Sequence, residues 1–326
     1  ISGTVGVVMA GAGFGVWALA GQQLFYYLTL VLVLFFTIPW RPKRIFALER
    51  IKSMFQFGWK LLCASLIDTL FMNLYGLVVG KIYDGNTLGV YSRGEQFPKL
   101  IVTNLGTAIQ SVMLPALSAH QTHPEQVRHM LQRAIKISVF LVFPMMAGLA
   151  ASADNLVLVL LGSKWSACVP FLQISCLAYA VWPMDIANLQ ALNAMGRSDV
   201  FLKLEILKKM VGVLILLFSL RCGPLTFIAW KACGDFICTF INAWPNQRLL
   251  NYSIGKLWKD ILPALLTSAA MGISVYIAGK FLPAGIAGLA GQVILGVLLY
   301  LGISWRGKLE SFSYLVEILR ERIKKG

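Results

Sequence analysis

Stretches of some twenty almost wholly apolar residues recur along this chain, and they constrain its fold more than any other feature. From Ile1 to Trp40 there is no charged side chain. Further runs read as membrane spans: with that first one, they lie near 16–38, 59–79, 97–117, 135–152, 169–192, 205–221, 225–243, 261–279 and 285–304, after an apolar stub at 1–12. Crossing the hydrocarbon takes about 20 mostly apolar residues as a helix. The helix is required because no water is there to satisfy backbone groups. A transmembrane β-barrel would alternate apolar and polar residues, and these runs are continuous. A 58% hydrophobic share with only 13% charge and a mean hydropathy of +0.72 fit no soluble domain, where charge runs at about 25%. The expected fold is all-α, a polytopic transmembrane helical bundle.

Charge is distributed with equal bias. "WRPKRIFALERIK" (Trp40 to Lys52) concentrates Arg41, Lys43, Arg44, Arg50 and Lys52 directly after the first uncharged run. Alternate connections, from this block through Arg133, Lys208 and Arg248 to the tail at Lys325, hold 22 of the 29 basic residues. Short cytoplasmic loops are enriched in Lys and Arg, so these connections and the C-terminus are expected to be cytoplasmic. The net charge of +15 then reflects orientation and contact with anionic membrane lipids. No basic–aromatic module points to nucleic acid.

Chemistry-bearing motifs are sparse. The six cysteines form no CxxC pair, and most fall inside apolar runs as small hydrophobes. His120, His123 and His129 cluster in one polar loop without the carboxylates or thiolates that would complete a metal site. No nucleophile elbow, HExxH or Walker pattern occurs. The outward loops are short, with little room for catalytic machinery. Neither catalytic nor metal-ligating residues nor a cofactor are expected, and transport suits the chain better than catalysis.

Polar groups within spans carry the functional signal, because they are costly there and face a cavity or a partner. Asp68 shares a helical face with Tyr75, seven residues on. In "EQFPKLIVTNLGTAIQ", Glu95, Lys99, Thr103, Thr107 and Gln110 follow at spacings of four, four, four and three, a polar stripe down one helix. The stripe is expected to face inward, toward water or toward helix–helix hydrogen bonds. Lys231 and Asp235 are i,i+4 neighbours, either an internal salt bridge or a substrate contact. Asp185 follows Pro183, at a broken helix lining a cavity or at a simple kink.

Several segments together resemble the polysaccharide transporter branch of the multidrug/oligosaccharidyl-lipid/polysaccharide flippase superfamily: "GFGVWALAGQQL", "LGVYSRGEQFPKL", "VMLPALS", "LVFPMMAGLA", "LLGSKWSACVPFLQI" and "LQALNAMGRSDVFLKLEILKK". The resemblance runs from about Gly3 to about Trp305. It implies a MATE-like fold of fourteen helices, of which about ten are present, so that this chain resembles helices five to fourteen. Ile1 is no initiator and the opening reads as the end of a helix, which fits a chain lacking the first four. The organisation expected is 1–40, two helices of the first lobe; 41–58, a cytoplasmic basic linker; 59–243, a second six-helix lobe; 244–304, two extra helices; and 305–326, a cytoplasmic amphipathic tail. The tail spaces Leu309, Phe312, Leu315, Leu319 and Ile323 on one face, suited to a membrane surface or to a partner helix.

Such transporters carry undecaprenyl-pyrophosphate-linked sugar repeats from the cytoplasmic to the outer leaflet of the bacterial inner membrane, for O-antigen, exopolysaccharide or capsule synthesis. The resemblance implies alternating access around a cationic cavity, coupled to a proton or sodium gradient, and a lipid-linked oligosaccharide as partner. Polysaccharide polymerase or other assembly proteins are further expected partners. Arg93 and Lys99, then Lys231, are the cations expected to meet pyrophosphate, with Thr103 and Gln110 beside them. Asp68, Glu95 and Asp235 are the candidates for ion coupling. Two other readings stay open. One is a multidrug extruder of the same superfamily, which favours carboxylates and aromatics. The other is an integral membrane polymerase or glycosyltransferase, against which the short outward loops argue. A scaffold recruiting an assembly complex through its tail is a further alternative.

Overall fold

A computed structural model describes residues 2–38, 52, 66, 69–71, 73–307, 309–314 and 316–317. The chain divides into two compact units, Ile1–Ile67 and Asp68–Gly326. Among the described residues the secondary structure is helical and seven helices are long and apolar enough to cross a membrane.

In the first unit, α1 (Ser2–Gly11) turns back through Gly13 and Gly15 into α2 (Val16–Thr37). Both glycines have positive φ, 85° and 52°, a conformation in which a Cβ would be strained. Gly6 and Gly21 let the helices touch: a Cβ would lie 2.9 Å from Gln22 Oε1 and 2.4 Å from Met9 Sδ respectively. The 22 residues of α2 span about 33 Å, enough for the hydrocarbon core. Its apolar side chains, among them Trp17, Leu24 and Phe36, are exposed, as lipid-facing residues should be. The block from Trp40 and the basic linker lie outside the described residues apart from Lys52, as does Asp68.

The second unit begins with helical residues 73–82, here α3. Asp84 then caps α4 (Gly85–Ser118), accepting the Thr87 amide at 2.6 Å. Thr87, through its side chain and its backbone amide, holds the Asp84 carboxyl below the usual carboxylate range. α4 runs for 34 residues, about 51 Å, longer than one crossing needs. It packs on α7 (Val169–Ala180) and α8 (Trp182–Ala194). A glycine permits that contact: a Cβ on Gly94 would sit 2.8 Å from the Leu172 amide nitrogen and 2.9 Å from the Cys168 carbonyl oxygen. Small residues at such crossings substitute for the hydrophobic drive that lipid removes.

α5 (Pro124–Ala151) lies along α11 (Ile254–Gly279), also through a small-residue contact, with Gly272 facing Ala147. After α6 (Ala153–Leu160) and a 3-10 turn (Ser163–Cys168), α7 and α8 divide one crossing at Val181. α9 (Ser198–Ser219) and α10 (Pro224–Leu249) complete the lobe, with α10 touching α7, α8 and α9. α12 (Ile286–Arg306) packs on α11 and α6. Asn155 bonds Gln292 at 2.8 Å, and the Tyr300 hydroxyl donates to the Phe140 carbonyl at 2.7 Å. The main apolar core joins α4, α5, α8, α10 and α11 through Leu117, Leu131, Ile135, Ala187 and Ile261.

The described turn of the tail, residues 310–314, is helical and rests on the protein. Leu309 and Phe312 pack against Phe140, Met271, Val275 and Tyr300. Lys136 of α5 is paired with Glu310 at 2.7 Å and with Asp260 of α11 at 3.2 Å. The Arg133 guanidinium lies 3.4 Å from the Tyr314 ring centre. Protein thus takes up the apolar face at the start of this segment. The tail's last basic residues, Arg320, Arg322, Lys324 and Lys325, lie outside the described residues.

Candidate functional site

α4 has two faces. Gly94, Pro98, Val102, Gly106, Met113 and Leu117 are buried against the bundle. On the other face Lys99, Thr103, Thr107 and Gln110 are exposed, with Asn104 and Ser111 beside them. Thr103 donates to the Lys99 carbonyl at 2.8 Å and Thr107 to the Thr103 carbonyl at 2.9 Å. These hydroxyls are satisfied by their own helix, so they leave a polar surface that needs no protein partner. Among the described residues Lys99 makes no ion pair. Hydrocarbon would penalise this face by several kcal/mol per unsatisfied or charged group, so it is suited to water.

Glu95, at the head of the stripe, points instead into a charged cluster. Lys231 of α10 lies 3.7 Å from Glu95 Oε1 and 3.4 Å from Asp235 Oδ2. The Tyr179 hydroxyl donates to Glu95 Oε1 at 2.8 Å. The Lys231 ammonium also lies 5.7 Å from the Tyr179 ring centre and 5.8 Å from that of Tyr75. The aromatic walls are themselves held. Tyr75 donates to the Gly212 carbonyl at 3.0 Å and tilts on Phe227, while Tyr179 packs edge-on to Trp182. Four helices, α3, α4, α7 and α10, thus contribute to one site.

Local sequence explains each position. Lys231 and Asp235 meet because a helix brings i and i+4 together. Tyr179 is the penultimate residue of α7, where the crossing breaks at Val181 and turns into α8. One cation between two carboxylates leaves the cluster with one net negative charge. The side chains of Lys231 and Glu95 are only 20% and 17% exposed, whereas Asp235 is 43% exposed. The Asp235 side is therefore the open one.

The remaining candidates lie apart. Arg93 is exposed, bonded to Gln96 at 2.9 Å and set 5.5 Å from the Trp165 ring centre. Of the cations named from the sequence, Lys231 joins the carboxylates; Lys99 stays on the stripe with Thr103 and Gln110. Asp185 is buried in α8 and accepts from Asn242 of α10 at 3.2 Å, and Asn188 pairs with Asn246 at 2.8 Å one turn on. These rungs tie α8 to α10. Sequence reasoning missed Tyr179 and the Glu95–Lys231 contact. The signal for Tyr179 was faint, a lone phenol next to a Trp-Pro break.

A bundle of membrane-crossing helices, with a water-suited face on α4 headed by a charged cluster, defines a polytopic helical membrane protein. The family described as "Polysaccharide biosynthesis protein" matches residues 1–170, and this chain belongs to it. It is 24% identical over 238 residues to the teichuronic acid biosynthesis protein TuaB of Bacillus subtilis (strain 168), covering 73% of this chain and 49% of that protein. It is 25% identical over 273 residues to the lipopolysaccharide biosynthesis protein WzxC of Escherichia coli (strain K12), covering 79% and 55%. The succinoglycan biosynthesis transport protein ExoT of Rhizobium meliloti (strain 1021) is 23% identical over 200 residues, covering 61% and 40%. The chain spans about half the length of the curated relatives it matches. Among solved structures, the lipid II flippase MurJ in an inward closed conformation superposes with a TM-score of 0.73 over 93% of this chain and 65% of that one, at 15% identity. That likeness establishes the shared fold.

Proposed function

We propose that this chain forms part of a transporter that moves a lipid-linked oligosaccharide, carried on a prenyl diphosphate, from the cytoplasmic to the outer leaflet. A hydrated glycan and its diphosphate cannot enter hydrocarbon without replacing their water. The observation that carries the reading is the exposed polar face of α4, headed by Glu95 and the Lys231 cluster in a predominantly apolar bundle. Family membership and relatives named for lipopolysaccharide biosynthesis and succinoglycan transport support it. Lys231 offers the charge for the diphosphate, with Lys99 on its approach. Arg93 serves the outer mouth, and Thr103 and Gln110 supply hydrogen bonds along the path. Glu95 and Asp235 are the carboxylates able to link the cycle to protons or sodium. The chain acts as a transporter and not as an enzyme, in the bacterial inner membrane.

The test uses the protein expressed from its complete coding sequence, in a strain whose polysaccharide export depends on it. Lys231→Gln should abolish export while leaving insertion intact, and Lys99→Gln should reduce it several-fold. Export unchanged in both variants would refute the reading. A cation extruder is the second reading, favoured by the two carboxylates and the Tyr75 and Tyr179 faces around one site. Accumulation of a lipophilic cation such as ethidium in cells lacking the protein, reversed by wild type and not by Asp235→Asn, would favour it.

Orientation follows from the basic excess, with the C-terminus in the cytoplasm. Single cysteines placed at Gly85, Ser163 or Ala284 should react with an impermeant maleimide on intact spheroplasts. Cysteines at Arg133 or Arg248 should react only after lysis. Efficient external labelling at either of the last two would invert the map.

A further inference from the structure

Lys231 is shared by two carboxylates, but the two are not held alike. Glu95 is mostly covered, and its Oε1 also receives the Tyr179 hydroxyl at 2.8 Å. The Tyr179 ring is fixed in turn against Trp182, with centres 5.5 Å apart. Asp235 is 43% exposed. Among the described residues, Lys231 is the one donor to its carboxylate, at 3.4 Å. Both Lys231 contacts exceed the roughly 2.7–2.9 Å of a tight charge-assisted bond. The ammonium therefore stands between its partners with donor capacity unspent, since it carries three N–H groups.

A cluster with one net negative charge repels a diphosphate. If Asp235 withdraws, Lys231 and Glu95 remain as a neutral pair with the ammonium still oriented. We propose that Asp235 is the exchangeable counter-charge of Lys231 and Glu95 its positioning residue, so that an anionic diphosphate docks by taking the place of Asp235. This rests on the reading of Lys231 as the cation that meets substrate. Exchange of one anion for another keeps the ammonium compensated throughout, which a site in a poorly solvated bundle requires. It also explains why the carboxylate on the open side lacks the tyrosine clamp that its counterpart has. Lysine suits this exchange, because it binds phosphate as a compact point charge and does not demand a fixed two-point geometry.

The experiment measures the Kd of inorganic pyrophosphate and of farnesyl pyrophosphate for the detergent-purified protein, expressed from its complete coding sequence. Asp235→Asn should tighten both by on the order of tenfold, since a like charge has gone from a partly solvated site. Glu95→Gln and Tyr179→Phe should weaken both, although Glu95→Gln removes the same charge. Asp235→Glu should leave binding as weak as in wild type. The unfolding midpoint of each variant, recorded in the same samples, identifies any that merely lose the fold; opposite movements of Kd cannot come from a shared structural defect. Equal tightening by Glu95→Gln and Asp235→Asn would overturn the division of roles. Failure of Asp235→Asn to tighten binding, while Lys231→Gln abolishes it, would overturn exchange and spare the reading of Lys231. Undiminished binding in Lys231→Gln would sink that reading itself. Phosphatidylglycerol, a singly charged phosphodiester, supplies the last arm. Competition as strong as that of farnesyl pyrophosphate would overturn the diphosphate assignment in favour of ordinary headgroup attraction.

Discussion

Replacing Lys231 with Met should lower the unfolding midpoint more than any other single change at the cluster. The substitution removes one cation from between two carboxylates 3.4 and 3.7 Å away, one of them only 17% exposed. Breaking a buried pair by deleting one partner costs about 3–5 kcal/mol, chiefly because the orphaned charge stays buried. The part due to Asp235 is smaller, since solvent screens its open side. The informative comparison is the triple variant Lys231→Met, Glu95→Gln, Asp235→Asn. With no charge left to compensate, it should recover most of the lost stability, as replaced charge clusters often do. It should not recover transport. A midpoint unmoved by Lys231→Met would mean that water, and not the lysine, compensates the carboxylates.

Lys136→Met should be the next most damaging, and its effect should appear at the far end of the chain. Lys136 joins three parts of the second unit: α5, Asp260 of α11 and Glu310 of the tail. Asp260 also accepts the Tyr252 hydroxyl at 3.0 Å, and burial with the nearby Asp260 charge pushes the Tyr252 phenol above its ordinary range. Asp260 is 17% exposed, whereas Glu310 is 80% exposed. The two arms should therefore differ: Lys136→Met should cost on the order of 1–3 kcal/mol through Asp260. Glu310→Gln should cost no more than about 1 kcal/mol. Limited proteolysis gives the local readout. Lys136→Met should speed cleavage after residue 307 by several-fold, because the tail loses its ion pair and keeps its Leu309 and Phe312 contacts, the Arg133–Tyr314 stack and the Ser311 hydroxyl bond to the backbone carbonyl of residue 136 at 3.3 Å. Equal cleavage in wild type and Lys136→Met would mean that the packing contacts and the Ser311 backbone bond hold the segment without the lysine's charge.

Much of this architecture was legible in the residues. The apolar runs at 16–38 and 285–304 correspond to α2 and α12 almost residue for residue, because span length follows from bilayer thickness alone. The run near 97–117 underestimated α4, which starts at Gly85 behind its Asp84 cap. Hydropathy reports the lipid-contacting part of a helix and is blind to a polar extension. The span near 169–192 is two helices with a break at Val181. Pro183 marked that place without revealing whether it broke or bent the chain.

The candidate site shows the same division. The polar stripe of α4 and the Lys231–Asp235 pair were readable, since both depend on the 3.6-residue period of one helix. That Glu95 heads the stripe and yet turns into a different set of partners was not. Its contacts come from α7 and α10, and periodicity says nothing about which helix crosses which. Those crossings depend on close approaches such as the one at Gly94, and on packing summed over the whole bundle.

What is local or compositional could be read from the residues alone: the membrane as solvent, the long apolar helices such as α2 and α12, the polar face of α4, and the family. What depends on the meeting of distant segments came from the packed fold. It bound Glu95 to a lysine of α10 and to Tyr179, and left Asp235 open. It also tied Asp185 to Asn242 and seated Phe312 on Phe140. A charge is costly in a poorly solvated bundle until it finds its partner, and that partner is chosen by the packing of helices, which no single stretch of sequence encodes.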